Sequence, residues 1–209
     1  NRIHGLVMDI TDENQVHNTF KIISERHAKI DGVINFAAAT GELLVKDGSL
    51  FTDFENTSLA TWNTVLDINI TGNFLVAKIA GKYFTQQGSG NLINTSSIYG
   101  IRGPDHRIYK GEEFSSFAAY SASKAAVHGL TQWLATYWAQ KNIRVNTIVP
   151  GGIYNNHTDN FRDKYSARTP MARMGMPSDI FGVVEFLLSE KSAYITGQQI
   201  IVDGGLSTW

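Results

Sequence analysis

The sequence contains no cysteine, which excludes disulfide bonds, thiolate nucleophiles and cysteine-based metal centres. It has no apolar run of the roughly 18 residues that a membrane-spanning helix needs, so no membrane partner is predicted. A formal net charge of −1 gives no electrostatic case for nucleic acid. The six histidines show no ligand spacing, so no metal site is predicted. A cytoplasmic protein that binds a small molecule fits these absences.

Short apolar segments alternate with longer segments of helical periodicity along the chain. The strand-like segments are residues 3–10, 32–38, 90–97, 143–151 and 198–205, and the helical ones begin near 13, 58, 117 and 177. The strand-like segments are apolar throughout, which is typical of a parallel sheet covered on both faces. No linker divides the chain, so residues 1–209 are predicted to form a single α/β domain.

The segment FAAYSASKAAVHGL, residues 117–130, carries Tyr120 and Lys124 on one face of a predicted helix. A neighbouring ammonium favours the phenolate and lowers the pKa of a phenol from its ordinary value. The pair can therefore exchange a proton with an alcohol or a carbonyl. The surrounding residues are small and let a cofactor approach. The same spacing is common by chance, and an ordinary helix surface pair is the alternative interpretation.

Several other motifs occur in a fixed order. They are Asp9-Ile10 after LVM, NFAAA (35–39), INITG (68–72), NTSSIYG (94–100), VPGGI (149–153) and ITGQQIIVDGG (195–205). With the tyrosine–lysine pair, they resemble the single-domain short-chain dehydrogenase/reductase family, including members tied to bacterial surface-sugar and flagellin-sugar modification. The resemblance implies a Rossmann-type doubly wound parallel sheet with helices on both faces.

The resemblance also implies four catalytic residues. Tyr120 is the expected general acid/base, Lys124 its helper, Ser97 the hydroxyl that binds the substrate oxygen, and Asn69 part of a proton path through water. Ser96 is the alternative to Ser97. Taken alone, Asn69 in a helix could only bend it, and Ser97 could only cap a turn.

The implied cofactor is NAD or NADP, and the sequence does not indicate which. The residues that would bind it are Asp9, Ile10, Asn35, Ala37, Tyr120, Lys124, Pro150, Gly151, Ile153 and Asn155. Phe36 and Ala38 depart from the family's pattern, and Asn155 stands where many members have threonine. No glycine-rich phosphate-binding turn lies upstream of Asp9, so the N-terminal β-α-β portion of about 45 residues is expected to precede residue 1.

The implied function is hydride transfer between NAD(P) and a secondary alcohol or ketone of a hydroxylated small molecule, including a sugar or sugar derivative. A nucleotide-sugar epimerase or dehydratase and a non-catalytic cofactor-binding relative are the alternatives. The resemblance also implies a homo-oligomer, a tetramer or a dimer. Three aromatic residues of the helix 117–141 suit a subunit interface, with core packing as the alternative: Trp133, Tyr137 and Trp138.

Two polar segments are candidates for contact with the substrate. The segment 102–114 makes the interval between Ser97 and Tyr120 longer than is usual in the family, and residues 154–175 occupy the family's substrate lid. Cations in these segments could contact a polar or anionic ligand: Arg102, His106, Arg107, Lys110, Arg162, Lys164, Arg168 and Arg173. A solvated surface is the alternative interpretation for both.

Overall fold

Four parallel strands form one sheet in the computed structural model, which describes residues 3–41 and 53–209. In spatial order they are β1 (Val33–Asn35), β2 (Gly90–Thr95), β3 (Ile143–Pro150) and β4 (Gln199–Val202). The register pairs Asn35 with Asn94 and Thr95 with Ile148. Because the strands are parallel, the segments that follow them all leave from one edge of the sheet, and this edge carries the candidate site.

Six α-helices lie within the described residues. They are α1 (Glu13–Arg26), α2 (Leu59–Leu66), α3 (Gly72–Gln87), α4 (Ala118–Trp138), α5 (Asp159–Ser166) and α6 (Pro177–Leu188). A π-helical turn, Asp67–Thr71, joins α2 to α3. Two predicted helix starts are confirmed. The side chain of Asp12 accepts hydrogen bonds from the first turn of α1, and that of Ser58 accepts one from the amide of Thr61.

The sheet is covered on both faces, as the apolar strands predict. On one face α1, α3 and α4 pack against β2 and β3 through a core that includes Val16, Phe20, Ile79, Phe84, Leu92, Trp138 and Val145. On the other face α6 contributes Ile180 and Leu187, which pack against Ile93 and Ile148. Successive residues of β2 therefore enter opposite cores.

The predicted first strand, residues 3–10, is wrong for the chain as described. These residues form no strand, and the side chains of Ile3 and Val7 are 92% and 101% exposed. An extended segment becomes a strand only when it hydrogen-bonds to a neighbouring strand, and none of the four described strands pairs with this segment. Met8 and Ile10 alone of this segment pack against the core of α1 and α3. Gly72 makes room for Ile10, since a Cβ there would lie 2.6 Å from its Cδ1 atom.

The segment 102–114 is packed rather than solvated. It forms a 3₁₀ turn, His106–Tyr109, in which Ile108 is buried. The rings of Tyr109 and Phe114 lie 5.4 and 5.1 Å from that of Phe161 in α5. The segment and residues 154–175 therefore form one aromatic unit at the carboxyl edge of the sheet. Within the described residues, no helix combines the length and apolar character that crossing a bilayer requires.

Candidate active site

Ser97 is held where β2 meets α4. It precedes the 3₁₀ turn Ile98–Gly100, and its hydroxyl accepts a hydrogen bond of 3.2 Å from the amide of Tyr99. Gly100 lets this turn lie directly on α4, because a Cβ there would stand 2.8 Å from the main-chain carbonyl of Lys124. The Ser97 side chain is 8% exposed, so a ligand oxygen that reached it would be largely shielded from water.

Ser96, the alternative to Ser97, has a structural position. Its hydroxyl donates to the main-chain carbonyl of Lys124 at 2.7 Å and lies 2.9 Å from Nε2 of His128. Because the single hydroxyl proton goes to the carbonyl, Nε2 of His128 must be the donor in the second bond. The Ser96 side chain therefore connects β2 to α4. Its hydroxyl proton is already used in this bond and is not available to a substrate.

Tyr120 lies in the first turn of α4, near the side chain of Ser97. Burial raises the pKa of the Tyr120 phenol, and the nearby hydroxyl of Ser97 acts in the opposite direction. The expectation that Lys124 lowers this pKa below its ordinary value is wrong for this arrangement. The ammonium lies 5.7 Å from the centre of the Tyr120 ring, and burial outweighs the interactions that favour the phenolate.

Lys124 is buried, with 2% of its surface exposed. Its ammonium donates a hydrogen bond of 2.9 Å to the main-chain carbonyl of Thr95, at the end of β2. Burial lowers the pKa of Lys124 to about 8, and no described carboxylate forms an ion pair with it. An ammonium has three donors, so two are left for a ligand.

Asn69 lies within the π-helical turn and is fully buried. Its Oδ1 accepts from the amide of Ala39 at 2.7 Å, and its Nδ2 donates to the hydroxyl of Ser123 at 3.0 Å. Its main-chain carbonyl accepts from Nδ2 of Asn73. The side chain therefore connects the segment after β1 to the first turns of α4. A place in a proton path through water stays a prediction.

The expected cofactor residues near the N-terminus lie in two groups. Asp9 is exposed, and its carboxylate accepts from the amide and hydroxyl of Thr11 at 2.9 and 2.8 Å. Ile10 is half-buried beside α3. Asn35 ends β1, and Ala37 is exposed two residues later. Asn35 and Ala37 therefore lie at the same sheet edge as Ser97.

A chain of buried polar side chains under this edge was missed by the sequence reasoning. Nδ2 of Asn35 donates to Oδ1 of Asn94 at 2.9 Å, and Nδ2 of Asn94 donates to the hydroxyl of Thr131 at 2.9 Å. The hydroxyl of Thr147 completes the chain with a 2.7 Å bond to Thr131. These bonds join three strands to α4 and hold the edge in one arrangement. Their signal in the sequence was two asparagines at the ends of apolar strands.

The turn after β3 brings the remaining expected cofactor residues together. The amide of Gly151 donates to the carbonyl of Val202 at 2.9 Å, and the amide of Gly152 donates to the hydroxyl of Tyr165. Pro150 ends β3. Among the described residues, none hydrogen-bonds to the amide or the carbonyl of Ile153. Ile153 thus presents one main-chain donor and one acceptor, the pair that a carboxamide can bind.

Asn155 is exposed, and its amide donates to Nδ1 of His157 at 3.1 Å. It is the least enclosed of the expected cofactor residues after β3. The free donors of buried Lys124 and the main-chain pair of Ile153 fit the nicotinamide and ribose end of a dinucleotide. The donor set of this site therefore fits the implied cofactor.

Most cations expected to face an anion are instead bound within the protein. Arg102 donates to the carbonyl of Leu206 at 2.5 Å, and Lys164 donates to the carbonyl of Lys110 at 2.6 Å. Arg107, Arg162, Arg168 and Arg173 pair with acidic residues, namely Asp105, Asp159, Asp163 and Asp179. Contact of these cations with an anionic ligand stays a prediction, with a solvated surface as the alternative. Arg168 and Lys164 join residues 154–175 to residues 102–114, through Asp105 and the carbonyl of Lys110.

Residues 1–207 match the family model described as Enoyl-(Acyl carrier protein) reductase. The chain is 35% identical over 206 residues to post-translational flagellin modification protein A of Campylobacter coli, covering 96% of this chain and 77% of that protein. It is 31% identical over 209 residues to the 3-oxoacyl-[acyl-carrier-protein] reductase FabG of Thermotoga maritima, covering 98% of this chain and 77% of that protein.

Two solved structures share the architecture. A short-chain dehydrogenase from Leptospira borgpetersenii with bound NAD+ superposes with a TM-score of 0.85 and 35% identity, covering 97% of this chain and 74% of that one. A gluconate 5-dehydrogenase from Burkholderia cenocepacia, in complex with NADP and tartrate, gives 0.83 and 25%, with coverages of 97% and 74%. The ordered motifs, the doubly covered parallel sheet and these matches lead to one conclusion: the chain belongs to the short-chain dehydrogenase/reductase family of NAD(P)-dependent oxidoreductases.

Proposed function

We propose that the site transfers hydride between NAD(P) and an oxygen-bearing carbon of a hydroxylated small molecule, a sugar or sugar derivative being the favoured class. One observation carries the assignment to these residues. Tyr120 lies near the hydroxyl of Ser97, which lowers the pKa of its phenol, and the buried ammonium of Lys124 is 5.7 Å from the centre of the Tyr120 ring. A bound nicotinamide dinucleotide supplies or accepts the hydride, and the residues of this chain supply the proton and the positioning.

In reduction, the Tyr120 phenol donates its proton to the substrate oxygen as that oxygen gains negative charge. Burial keeps the phenol protonated, which prepares it for this direction. In oxidation the same oxygen returns its proton to the phenolate. Ser97 donates a hydrogen bond to the reacting oxygen and so stabilises the charge that develops on it.

Lys124 binds ribose hydroxyls of the dinucleotide through the donors that Thr95 does not use. Its charge also favours the phenolate once a substrate has taken the proton. Asn69 aligns the segment after β1 with α4 through its two side-chain bonds. We include Asn69 as a member of a water-linked proton path from Lys124 to solvent.

The other predicted dinucleotide contacts complete the site. Asp9 and Ile10 would lie beside the adenine ring, and Asn35 and Ala37 would line the path of the cofactor. Four residues would surround the nicotinamide: Pro150, Gly151, Ile153 and Asn155. The free main-chain pair of Ile153 is the best supported of these contacts.

The substrate class rests on what the relatives are named for. One relative is named for flagellin modification and one matched structure is a gluconate 5-dehydrogenase. Another is named as a 3-oxoacyl-[acyl-carrier-protein] reductase. We propose a role in surface-sugar or flagellin-sugar modification on the basis of these relatives.

A substrate screen tests the proposal. The protein is incubated with NAD+ or NADP+ and a panel of sugar alcohols and hydroxy acids, and with NADH or NADPH and keto sugars and a 3-oxoacyl thioester. We expect NAD(P)H-linked turnover of at least one hydroxylated compound in preference to the thioester. Cofactor binding without turnover of any compound would favour a non-catalytic protein, and a product with no net redox change would favour an epimerase or dehydratase.

We also propose that the protein is a cytoplasmic homo-oligomer, a dimer or a tetramer, that associates through the outer face of α4. Trp133 and Tyr137 are stacked with ring centres 4.8 Å apart and are 60% and 57% exposed. Trp138, the third expected interface residue, is instead part of the core. Sedimentation of the wild type and of Trp133→Glu tests the proposal, since a charge on this face should release smaller species.

A further inference from the structure

Two tyrosine hydroxyls meet beside Ser97. The hydroxyl of Tyr109, in the packed segment 102–114, donates a hydrogen bond of 2.7 Å to the hydroxyl of Tyr99. Tyr99 follows Ser97 by two residues, and its amide bonds to the Ser97 hydroxyl. Both tyrosines are half-buried. The pair therefore joins the long segment to the turn that holds Ser97.

The direction of this bond determines what Tyr99 can still do. Because Tyr109 gives its proton to the oxygen of Tyr99, the proton of Tyr99 is not used in the pair. No other described residue accepts it. Accepting one hydrogen bond polarises a hydroxyl and makes it a better donor in the next bond. Tyr99 therefore presents a polarised, unused donor.

That donor borders the candidate site. Tyr99 lines a cavity together with Tyr165, whose hydroxyl accepts a hydrogen bond from the amide of Gly152 in the turn after β3. Burial raises the pKa of Tyr99 and of Tyr109. Tyr99 and Tyr109 stay protonated at any working pH, so Tyr99 can donate but does not compete with Tyr120 as a base.

The packing of the segment 102–114 explains why Tyr109 stays in place. Asp105 caps its 3₁₀ turn and also binds Arg168 at 2.8 Å. The ring of Tyr109 packs edge-on against Phe114, with centres 5.8 Å apart. A segment fixed this firmly can position one hydroxyl to a fraction of an ångström, as specificity requires.

We propose that Tyr99 determines substrate specificity by donating its hydroxyl proton to a second oxygen of the substrate, and that Tyr109 positions it. This inference rests on the proposed function, in which Ser97 and Tyr120 bind the reacting oxygen. It narrows the substrate class to compounds with another acceptor oxygen near the reacting carbon, such as hydroxyketones and polyols. Plain ketones and alcohols would leave the Tyr99 donor without a partner, which reduces their binding.

The test uses two ketones that differ by one oxygen, acetoin and 2-butanone, reduced with the preferred NAD(P)H. The wild type is expected to favour acetoin by about tenfold in kcat/KM, the value of one well-placed hydrogen bond. Tyr99→Phe should lose most of that preference through a higher KM for acetoin, and should leave 2-butanone within about twofold. In Tyr109→Phe the logarithm of the preference for acetoin should fall by about half. The Tyr99 hydroxyl is still present in this variant but is held less firmly.

Tyr194→Phe, at a fully exposed position, is the matched control and should keep the wild-type ratio. If Tyr99→Phe lowered kcat/KM equally for acetoin and 2-butanone, or left the ratio of the two values unchanged, the inference would be wrong. The proposed function would still hold. If the Tyr99–Tyr109 pair had only a structural role, both variants would unfold at a lower urea concentration, and the ratio of kcat/KM for the two ketones would not change. Failure of the wild type to oxidise or reduce any compound would count against the proposed function itself.

Discussion

The ammonium of Lys124 is bound by the main-chain carbonyl of Thr95 and by no described carboxylate. A charge buried without a counter-charge is costly, and this is why burial lowers the pKa of Lys124 to about 8. Because the Lys124 ammonium has no carboxylate partner, it keeps donors for a cofactor. For the same reason it reduces the free energy of unfolding near neutral pH. This relationship links the chemistry of the site to a measurable property of the whole fold.

The first prediction concerns stability and pH. An unfolded lysine binds its proton up to about pH 10.4, whereas Lys124 releases it near pH 8, so the unfolded state holds more protons between these values. The unfolding free energy of the wild type should therefore rise with pH across this window, by about 2–3 kcal/mol relative to Lys124→Met. Urea unfolding of both proteins at several pH values measures the difference. Lys191→Met removes a charge from an exposed position and should follow the wild type. If the unfolding free energy changed with pH in the same way in the wild type and in Lys124→Met, the lowered pKa could not belong to Lys124.

The second prediction concerns the proton donor. Tyr120→Phe should lower kcat by about 10²–10⁴-fold, because the substrate oxygen then has no acid or base beside it. Cofactor affinity, measured by the fluorescence of NAD(P)H, should stay within a few-fold of the wild type. Tyr194→Phe changes a fully exposed tyrosine outside the site and the proposed interface, and should be neutral. A Tyr120→Phe enzyme with most of its kcat would refute the role.

The third prediction separates the two adjacent serines. Ser97→Ala should lower kcat by about 10²-fold through loss of a bond to the reacting oxygen. Ser96→Ala should instead lower the unfolding free energy by about 1–2 kcal/mol, since it leaves Nε2 of His128 without a partner and removes the bond that the Lys124 carbonyl accepts from β2. Steady-state kinetics and urea unfolding of both variants separate the roles. The reverse pattern would move the catalytic assignment to Ser96.

The fourth prediction concerns Asn69. In Asn69→Ala the amide of Ala39, which is fully buried, loses its acceptor, and stability should fall by about 2 kcal/mol. Asn69→Asp keeps an acceptor for Ala39 but places an oxygen beside Ser123, which donates its own proton to the Tyr120 carbonyl. It should recover only part of the loss. Asn63→Ala, on the exposed side of α2, is the control. A fully stable Asn69→Ala would show that the site tolerates an open amide.

Much of the architecture was predictable because it depends on local patterns. Apolar strands, the cap at Ser58 and the helix around Tyr120 follow from periodicity and from hydrogen bonding within a few residues. The order of motifs along the chain was sufficient to identify the family. Residues 3–10 were predicted as a strand and are not one, since a strand depends on a neighbour that a local pattern does not reveal.

The parts that could not be predicted depend on contacts distant in sequence. Nothing in the local sequence indicates that Arg168 binds Asp105, because the two residues are 63 positions apart in the chain. The pairing of Tyr99 with Tyr109 depends on how a ten-residue interval folds back on itself. The raised pKa of Tyr120 likewise reflects burial, which the spacing of Tyr120 and Lys124 does not report.

The π-helical turn Asp67–Thr71 has a consequence for how this protein can vary. Such a turn is an α-helix that has absorbed one additional residue. Because the wide turn takes up the additional residue, α2 and α3 keep nearly the orientation that they would have in one continuous helix. Trp62 and Val65 therefore stay in the cluster that they form with Ala39 and Ala119. The turn itself places Asn69 between Ala39 and Ser123. A one-residue deletion within Asp67–Thr71 should therefore remove the contacts of Asn69 while sparing the packing of α2.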